Sequence, residues 1–253
     1  MRGWWQEIAD LVLPADCAGC GRPGVPLCDR CQGALRGPGA RRVLPSPVPP
    51  GLPVVHAAVD YVDEARAVLL AHKERGALRL AGPLGEALAG AVRAAARGAL
   101  PRAPGGPPLL LVPVPSARRA VGARGHDPAR RIACAAADVL RREGCPTRVP
   151  AVLRQRRRVT DQAGLGARQR RANVTGALEA VQGGGRLLVV GPVVLVDDLM
   201  TTGASLAEAA RAVTEAGGRV VGGAVVAAPP APVTAAAAGS SGRLRPFASR
   251  KRN

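Results

Sequence analysis

Short apolar runs alternate with amphipathic stretches along the chain, which indicates strands separated by helices and an α/β domain. Runs rich in Val and Leu predict buried strands over 54–61, 109–112, 148–153, 187–196 and 219–227. Apolar positions at helical spacing predict helices over 4–13, 63–74, 77–100 (interrupted at Gly82-Pro83) and 127–142, and one that begins near Ser205. The first of these helices carries Trp4 and Trp5, which we expect to pack on the next module.

The stretch 193–205 combines a strand, an acidic pair, a turn of small residues and a helix start. Backbone N–H groups of such a loop and of the first helical turn have no intrahelical partner and point at an anion. Thr201, Thr202 and Ser205 add hydroxyl donors, and Gly203 lets the backbone approach closely. Asp197 and Asp198 can accept from sugar hydroxyls or hold a hydrated Mg²⁺.

This stretch resembles the phosphoribosyl-pyrophosphate (PRPP) signature of the type I phosphoribosyltransferases. The resemblance implies that PRPP contacts nine consecutive residues, namely Asp197, Asp198, Leu199, Met200, Thr201, Thr202, Gly203, Ala204 and Ser205. The alternative is that the acids only end the strand and Thr201 caps the helix. A Walker-type nucleotide site is excluded, because neither Lys73 nor Lys251 stands in the required glycine-lysine setting.

Four cysteines near the N-terminus form two closely spaced C-x-x-C pairs: Cys17, Cys20, Cys28 and Cys31. Two such pairs supply four thiolates to one tetrahedral ion, which predicts a structural zinc site with no open position. Two disulfides are the alternative, and a cytoplasmic chain disfavours them. Cys134 and Cys145 lack ligand spacing and are predicted to be ordinary thiols.

Arginines cluster in two places that follow predicted strands. The loop after 109–112 carries Arg118, Arg119 and Arg124 between glycines, a position that suits a polyanion at the end of a parallel strand. The stretch 154–171 is the most cationic one and includes Arg156, Arg157 and Arg158. Three interpretations of it stay open: a lid over the phosphate site, a nucleic-acid surface, or a solvated charged loop.

The charge balance of the whole chain points to an anionic partner. Its 253 residues carry 36 basic against 18 acidic side chains, a formal charge of +18, which suits a phosphate-rich substrate, nucleic acid or a membrane surface. Aromatic residues make up only 2%, so Ala, Val and Leu must build the core. No apolar run is long enough to span a membrane, and the start lacks a signal-peptide pattern, so we expect a cytoplasmic protein.

Composition divides the chain into four parts. Residues 1–35 hold the N-terminal helix and the zinc knuckle, and the Pro- and Gly-rich residues 36–53 are predicted to be a linker. Residues 54–228 form the predicted main domain. Residues 229–253 have the composition of a disordered basic tail.

Taken together, these motifs resemble the ComF family, phosphoribosyltransferase-like proteins with a four-cysteine zinc element at the N-terminus. The match covers the four cysteines, the PRPP loop, a Tyr…Lys-x-x-Gly segment (Tyr61, His72, Lys73, Gly76) and a T-x-Q…L…R-x-N-V-x-G segment (Thr160, Gln162, Leu165, Arg171, Asn173, Val174, Gly176). The resemblance implies a doubly wound parallel sheet that binds PRPP and Mg²⁺ across its strand ends. It also implies single-stranded DNA as a partner, because some members act in DNA uptake; a homodimer stays open.

One segment departs from the family pattern. After Arg124-Gly125 the family has an aromatic residue and then Asn-Gln-Ala, whereas this chain has His126-Asp127-Pro128-Ala129. In related folds this loop faces pyrophosphate. We therefore expect the Asp127 carboxylate to disfavour an anionic ligand there.

Two functions follow from the resemblance. The first is an enzyme that transfers ribose 5-phosphate from PRPP to an acceptor, with Arg118, Arg119, Arg124 and an arginine of 156–158 stabilising the departing pyrophosphate. In it Asp197 and Asp198 hold the ribose, and one of them acts as a base. The second is a non-catalytic protein that binds PRPP and single-stranded DNA. Purine or pyrimidine salvage is a third, weaker interpretation, since no base-selective element is visible.

Overall fold

The computed structural model describes residues 16–100, 106–116, 121–122, 125–156 and 175–231. A six-stranded sheet is formed by β1 (Arg41–Val43), β2 (Val55–Asp60), β3 (Leu109–Pro113), β4 (Thr147–Arg148), β7 (Val193–Leu199) and β8 (Val220–Ala228). A separate antiparallel pair consists of β5 (Leu153–Gln155) and β6 (Leu178–Ala180). The helices are α1 (Asp29–Arg36), α2 (Asp63–Glu74), α3 (Ala81–Ala95), α4 (Pro128–Arg142), α5 (Gly184–Leu188) and α6 (Ala204–Glu215). The predicted helix over 4–13 and most of the predicted tail, 232–253, lie outside the described residues.

The strands of the main sheet follow the order β1-β2-β8-β7-β3-β4. Only β1 runs antiparallel to its neighbour, and the four other pairings are parallel. The prediction of an α/β protein is therefore confirmed in the form of a mixed, mostly parallel sheet.

The central strand β7 is buried on both faces, as its continuous apolar run requires. Val194 and Val196 pack into a cluster with side chains of α1, α2, α3 and α4. Val193 and Leu195 face the other way and pack against α6 and the β5–β6 pair. Helices thus cover both faces of the sheet, and the buried side chains are almost all Ala, Val and Leu.

Four predicted segments differ in detail from the structure. Residues 36–53 are not wholly irregular, because β1 lies within them and buries Val43. Gly82-Pro83 does not interrupt a helix but lies in the first turn of α3, where proline is tolerated. The predicted strand 148–153 is two strands of different sheets, separated by Pro150, which has no N–H to donate to a ladder. The apolar run 187–196 begins in α5 and becomes a strand only at Val193.

The helices that follow the neighbouring strands β3 and β7 lie on opposite faces of the sheet. The chain leaves β3 for α4, which packs on the Val194 face, and leaves β7 for α6, which packs on the Leu195 face. Such a reversal opens a crevice at the carboxyl ends of the two strands, and ligands of open α/β sheets bind there.

None of the helices in the described part of the chain combines the length and the apolar composition that a membrane crossing needs.

Candidate functional site

Two adjacent carboxylates stand where β7 ends at the crevice. Asp198 is buried and Asp197 is half-buried. The backbone N–H of Asp198 donates to Asp197 Oδ1 at 2.8 Å, which fixes the first side chain against the backbone of the second. Burial, together with the neighbouring Asp198 charge, raises the pKa of Asp197 well above its usual value.

Lys73 supplies a cation to this acidic pair. Its Nζ atom lies 2.7 Å from Asp198 Oδ2, with 34% of the lysine side chain exposed against 8% of the aspartate. The positive charge also acts on Asp197, whose pKa it lowers against the larger effects of burial and of Asp198. The site therefore holds two carboxylates and one ammonium group within a largely desolvated corner.

The segment after the acids forms a turn that leads into α6. Met200 donates its N–H to the Ala227 carbonyl at 3.1 Å, and the helix begins only at Ala204. Gly203 has a φ of 72°, in the left-handed region, and an added Cβ there would lie 3.0 Å from a methyl carbon of Leu52. Glycine is the residue that accepts both constraints without strain.

Several N–H groups of this turn and helix start have no intramolecular acceptor in the part of the chain that the structure describes. They belong to Thr201, Thr202, Gly203, Ser205 and Leu206. The N–H of Ala204 makes a weak contact with Thr202 Oγ1 at 3.5 Å. A cluster of unbonded donors at a helix N-terminus is the arrangement that binds phosphate.

The nine consecutive site residues that the sequence predicts therefore lie in one segment, from the end of β7 to the first turn of α6. Their side chains do not all face the crevice. Met200 is buried in the core on the α6 face, and Leu199 packs against the core on the opposite face. These two residues offer only backbone groups to a ligand.

The other wall of the crevice is the connection from β3 to α4. Asp127 is the N-cap of α4 and accepts from the N–H of Arg130 at 3.2 Å, while Ser116 Oγ lies 3.4 Å from the same carboxylate oxygen. Aspartate at this position thus has a local structural use, since it satisfies a free donor of the helix. The predicted pyrophosphate residues Arg118, Arg119 and Arg124 lie outside the described residues.

Of the arginines in the cationic stretch 154–171, Arg154 and Arg156 are described. Both are exposed, and their Nε atoms lie 2.9 Å and 3.9 Å from the carboxylate of Glu179 in β6. Arg157 and Arg158 lie outside the described residues, as does most of the T-x-Q…L…R-x-N-V-x-G segment.

The β5–β6 pair from which this stretch departs is fixed to α6 by a buried carboxylate. Glu208 Oε1 accepts from the N–H of Leu178 at 3.0 Å and from Arg211 Nη2 at 2.7 Å. The same Arg211 nitrogen donates to the Leu178 carbonyl at 2.8 Å. Helix α6, which starts directly after the turn that follows β7, therefore also holds the start of β6 in place.

The four cysteine thiols meet as the spacing predicts. Their sulfur atoms all lie within 4.8 Å of one another, and Cys20 Sγ is 3.6 Å from Cys28 Sγ. Zinc–sulfur bonds of about 2.3 Å in a tetrahedron put the sulfur atoms about 3.8 Å apart, so the cluster fits one zinc ion. A Cβ on Gly19 would lie 2.6 Å from Cys31 Sγ, so only glycine leaves room for the fourth ligand.

Backbone donors favour the thiolate at Cys17, whereas burial raises the pKa of the Cys31 thiol. The N–H of Cys28 donates to Cys17 Sγ at 3.3 Å. Burial, the largest single influence, raises the pKa of the Cys17 thiol, but hydrogen bonds from the backbone of Cys20, Cys28 and Gly19 together bring it down to about 6. A thiol that ionises readily is the form that zinc binds.

The cysteine cluster is joined to the main domain through α1, which begins directly after Cys28. Leu35 of this helix lies in the core cluster with Val68 and Leu84. Arg30 forms an ion pair with Glu64 at the start of α2. The knuckle thus packs on the helices that follow β2.

A scan against protein-family models found no match to this chain, and a search of curated proteins found none either.

Two features of the site were not identified from the sequence. The pairing of Lys73 with Asp198 joins segments that are far apart in the chain, and no local pattern signals it. The contact between His72 and His126 is of the same kind, with ring centroids 5.7 Å apart. The sequence predicts no role for Lys73 beyond its place in the Lys-x-x-Gly segment.

Proposed function

We propose that this chain is a phosphoribosyltransferase-like protein of the ComF type that binds PRPP at the crevice between β3 and β7. The observation that carries this proposal is the meeting of Asp197 and Asp198 with a turn of unbonded N–H groups at the reversal point of the sheet. The turn and the first residues of α6 bind the 5′-phosphate, and the carboxylates accept from the ribose hydroxyls.

The enzymatic form of the proposal is transfer of ribose 5-phosphate to an acceptor. The bond between the sugar's anomeric carbon and pyrophosphate breaks, and a bond from that carbon to the acceptor forms. Asp197 stands next to the ribose as an acceptor of the proton that the incoming nucleophile loses, because its raised pKa favours proton uptake. Asp197 is the carboxylate that would be available to the hydration shell of Mg²⁺ bound with PRPP, because Asp198 is paired with Lys73, and the ion would neutralise charge on the pyrophosphate.

Zinc is proposed as a structural ion in the cysteine cluster. All four ligand positions are taken by thiolates, so a bound ion has no open position for a substrate. Such a site persists where thiols stay reduced, which suits the cytoplasmic location that we propose.

The alternative is a binding protein that senses PRPP and holds single-stranded DNA without turnover. One observation favours it: Asp127 places a carboxylate at the start of α4, in the loop that the resemblance assigns to pyrophosphate. The formal charge of +18 supplies attraction to a nucleic-acid backbone, and binding of that kind weakens steeply with salt.

Calorimetry tests the binding step. PRPP with Mg²⁺ is titrated into the wild-type protein and into the Asp197→Asn/Asp198→Asn variant. We expect heat of binding for the first and its loss in the second. Equal heats for the two proteins would refute the site.

Pyrophosphate release separates the two functions. The protein is incubated with PRPP and Mg²⁺ against a pool of purine and pyrimidine bases, and released pyrophosphate is followed. Release that depends on one acceptor establishes transfer. If no base in the pool causes pyrophosphate release, and single-stranded DNA is retained in a salt-sensitive way, the chain is a binding protein without turnover.

A further inference from the structure

Lys73 reaches the acidic pair from a helix that crosses the carboxyl edge of the sheet. Helix α2 starts just after the carboxyl end of β2, and Lys73, its penultimate residue, meets Asp198 at the carboxyl end of β7. In the sheet β8 lies between these two strands. The helix therefore places the Lys73 ammonium group at the carboxyl edge of the sheet, where the crevice opens.

The backbone at Lys73 is held firmly by the residue before it. His72 is fully buried, and its Nδ1–H donates to the Ala77 carbonyl at 3.2 Å. The His72 carbonyl in turn accepts from His126 Nε2 at 3.3 Å, which ties the end of α2 to the loop before α4. The lysine side chain thus projects from a fixed point shared by both walls of the crevice.

The ion pair itself is unequal in exposure. The Asp198 side chain is almost wholly withdrawn from solvent, whereas a third of the Lys73 side chain is accessible. A buried carboxylate without a cation is destabilised by its desolvation. The Lys73 ammonium therefore stabilises the Asp198 carboxylate in its buried position. The ammonium contacts Oδ2 of Asp198, and the Asp198 carboxylate also interacts with the side chain of Asp197.

We propose that Lys73 is a positioning residue of the sugar-phosphate site: its ammonium holds Oδ2 of Asp198 and so fixes the carboxylate that accepts from the ribose hydroxyls of PRPP. This inference rests on the proposed function. Lys73 acts through Asp198, so it is not a catalytic residue. Its removal weakens PRPP binding only as long as Asp198 is a carboxylate.

A double-mutant cycle measures this dependence. The variants are Lys73→Met, Lys73→Gln, Asp198→Asn and the two lysine changes each combined with Asp198→Asn. Lys73→Arg keeps the charge, and Arg66→Met removes an exposed charge from the same helix as the matched control. Dissociation constants for PRPP with Mg²⁺ are measured by calorimetry at one pH, and circular dichroism confirms that each variant folds.

We expect Lys73→Met and Lys73→Gln to weaken PRPP binding about 10- to 100-fold, the size of a lost hydrogen bond to a charged group. Each double variant is expected to bind no more weakly than Asp198→Asn alone, because the lysine has nothing left to position. Lys73→Arg recovers most of the affinity, and Arg66→Met stays within about twofold of wild type, as an exposed charge should. Recovery by arginine is a result that a merely structural lysine would not give.

The failure of this inference differs from the failure of the proposed function. If wild type binds PRPP and the lysine variants bind equally well, or if their losses add to that of Asp198→Asn, the positioning role is wrong and PRPP binding stands. If wild type does not bind PRPP, both the proposed function and the role of Lys73 are overturned.

Discussion

The Nε2–H group of His126 donates to the backbone carbonyl of His72 at 3.3 Å, and both rings are buried where α2 meets the loop before α4. The Nδ1–H of His72 donates to Ala77, so its Nε2 atom is unprotonated, and that atom has no hydrogen-bond partner within the described residues. Protonation of His72 would place a positive charge in this buried site, and burial disfavours that charge more than the nearby backbone groups of Ala77 and Pro128 favour it. His126 thus serves as a hydrogen-bond donor between the end of α2 and the loop before α4.

This burial makes the stability of the fold depend on pH. Burial, with smaller contributions from the His126 and Arg131 charges, lowers the pKa of His72 below its ordinary 6.5. As the pH falls below that value, the unfolded chain takes up a proton at this histidine and the folded chain does not, so the free energy of unfolding decreases. We expect the melting temperature to fall between about pH 7.5 and pH 5.5, and to fall less in His72→Gln.

His56 contributes to the pH dependence in the same direction, because burial and the charges of Arg42 and Arg97 lower its pKa as well. The melting temperature of the His56→Gln/His72→Gln variant should therefore change least with pH. A wild-type slope retained in full by His72→Gln would contradict the assignment to His72.

The segments that could be predicted from the sequence are those in which local chemistry decides the structure. Asp63–Glu74 and the β7-to-α6 segment follow from hydrophobic period and from the glycine at the turn. The cysteine cluster follows from ligand spacing alone.

The remaining features depend on partners distant in the chain. Residues 187–188 are apolar enough for a strand but lie in α5, where Leu188 packs on the α6 face and Leu187 is exposed. Likewise, the sequence predicts only that the Asp127 carboxylate disfavours an anionic ligand, and its capping of α4 becomes visible only with the backbone in place. The Lys73–Asp198 pair depends on how α2 crosses the sheet edge, which no local pattern encodes.

The acidic pair is expected to lower stability in favour of function. Asp197 is disfavoured as an anion by burial and by the adjacent Asp198 charge. Asp197→Asn keeps an oxygen that accepts from the Asp198 N–H and removes the repulsion. We expect this variant to melt higher by about 2–4 °C, the effect of about 1 kcal/mol in a domain of this size, and to lose PRPP binding.

Differential scanning calorimetry with Asp16→Asn as the control checks this expectation. Asp16 is exposed, so its change tests the loss of one negative charge from a strongly basic protein without any burial. A melting temperature of Asp197→Asn at or below that of wild type would show that the pair is not strained.

Glu208 should contribute more to stability than any exposed carboxylate on α6. Its side chain is buried and accepts from both Leu178 and Arg211, so Glu208→Gln leaves the arginine facing an amide. We expect a loss of about 1–3 kcal/mol in urea unfolding. Glu215 pairs with the same arginine but is 65% exposed, so Glu215→Gln should cost less than about 0.5 kcal/mol and is the matched control. Similar losses for the two variants would show that Arg211, rather than the tie to β6, determines the effect.

Gly19 is predicted to decide whether the cysteine cluster holds metal. An alanine Cβ at this position would lie 2.6 Å from Cys31 Sγ and 2.9 Å from its Cβ, so the fourth thiolate must move away from the other three. Gly33, in α1, has open space around an added Cβ and gives the matched control. Protein purified without added metal should contain about one zinc per chain in wild type and in Gly33→Ala, and far less in Gly19→Ala.

Chelator should lower the melting temperatures of wild type and Gly33→Ala towards that of Gly19→Ala, because α1 and its Leu35 pack on the main core and a zinc ion in the cysteine cluster would stabilise the start of this helix. Full zinc content in Gly19→Ala, or a melting temperature that chelator leaves unchanged in wild type, would show that the cluster does not depend on a tetrahedral ion.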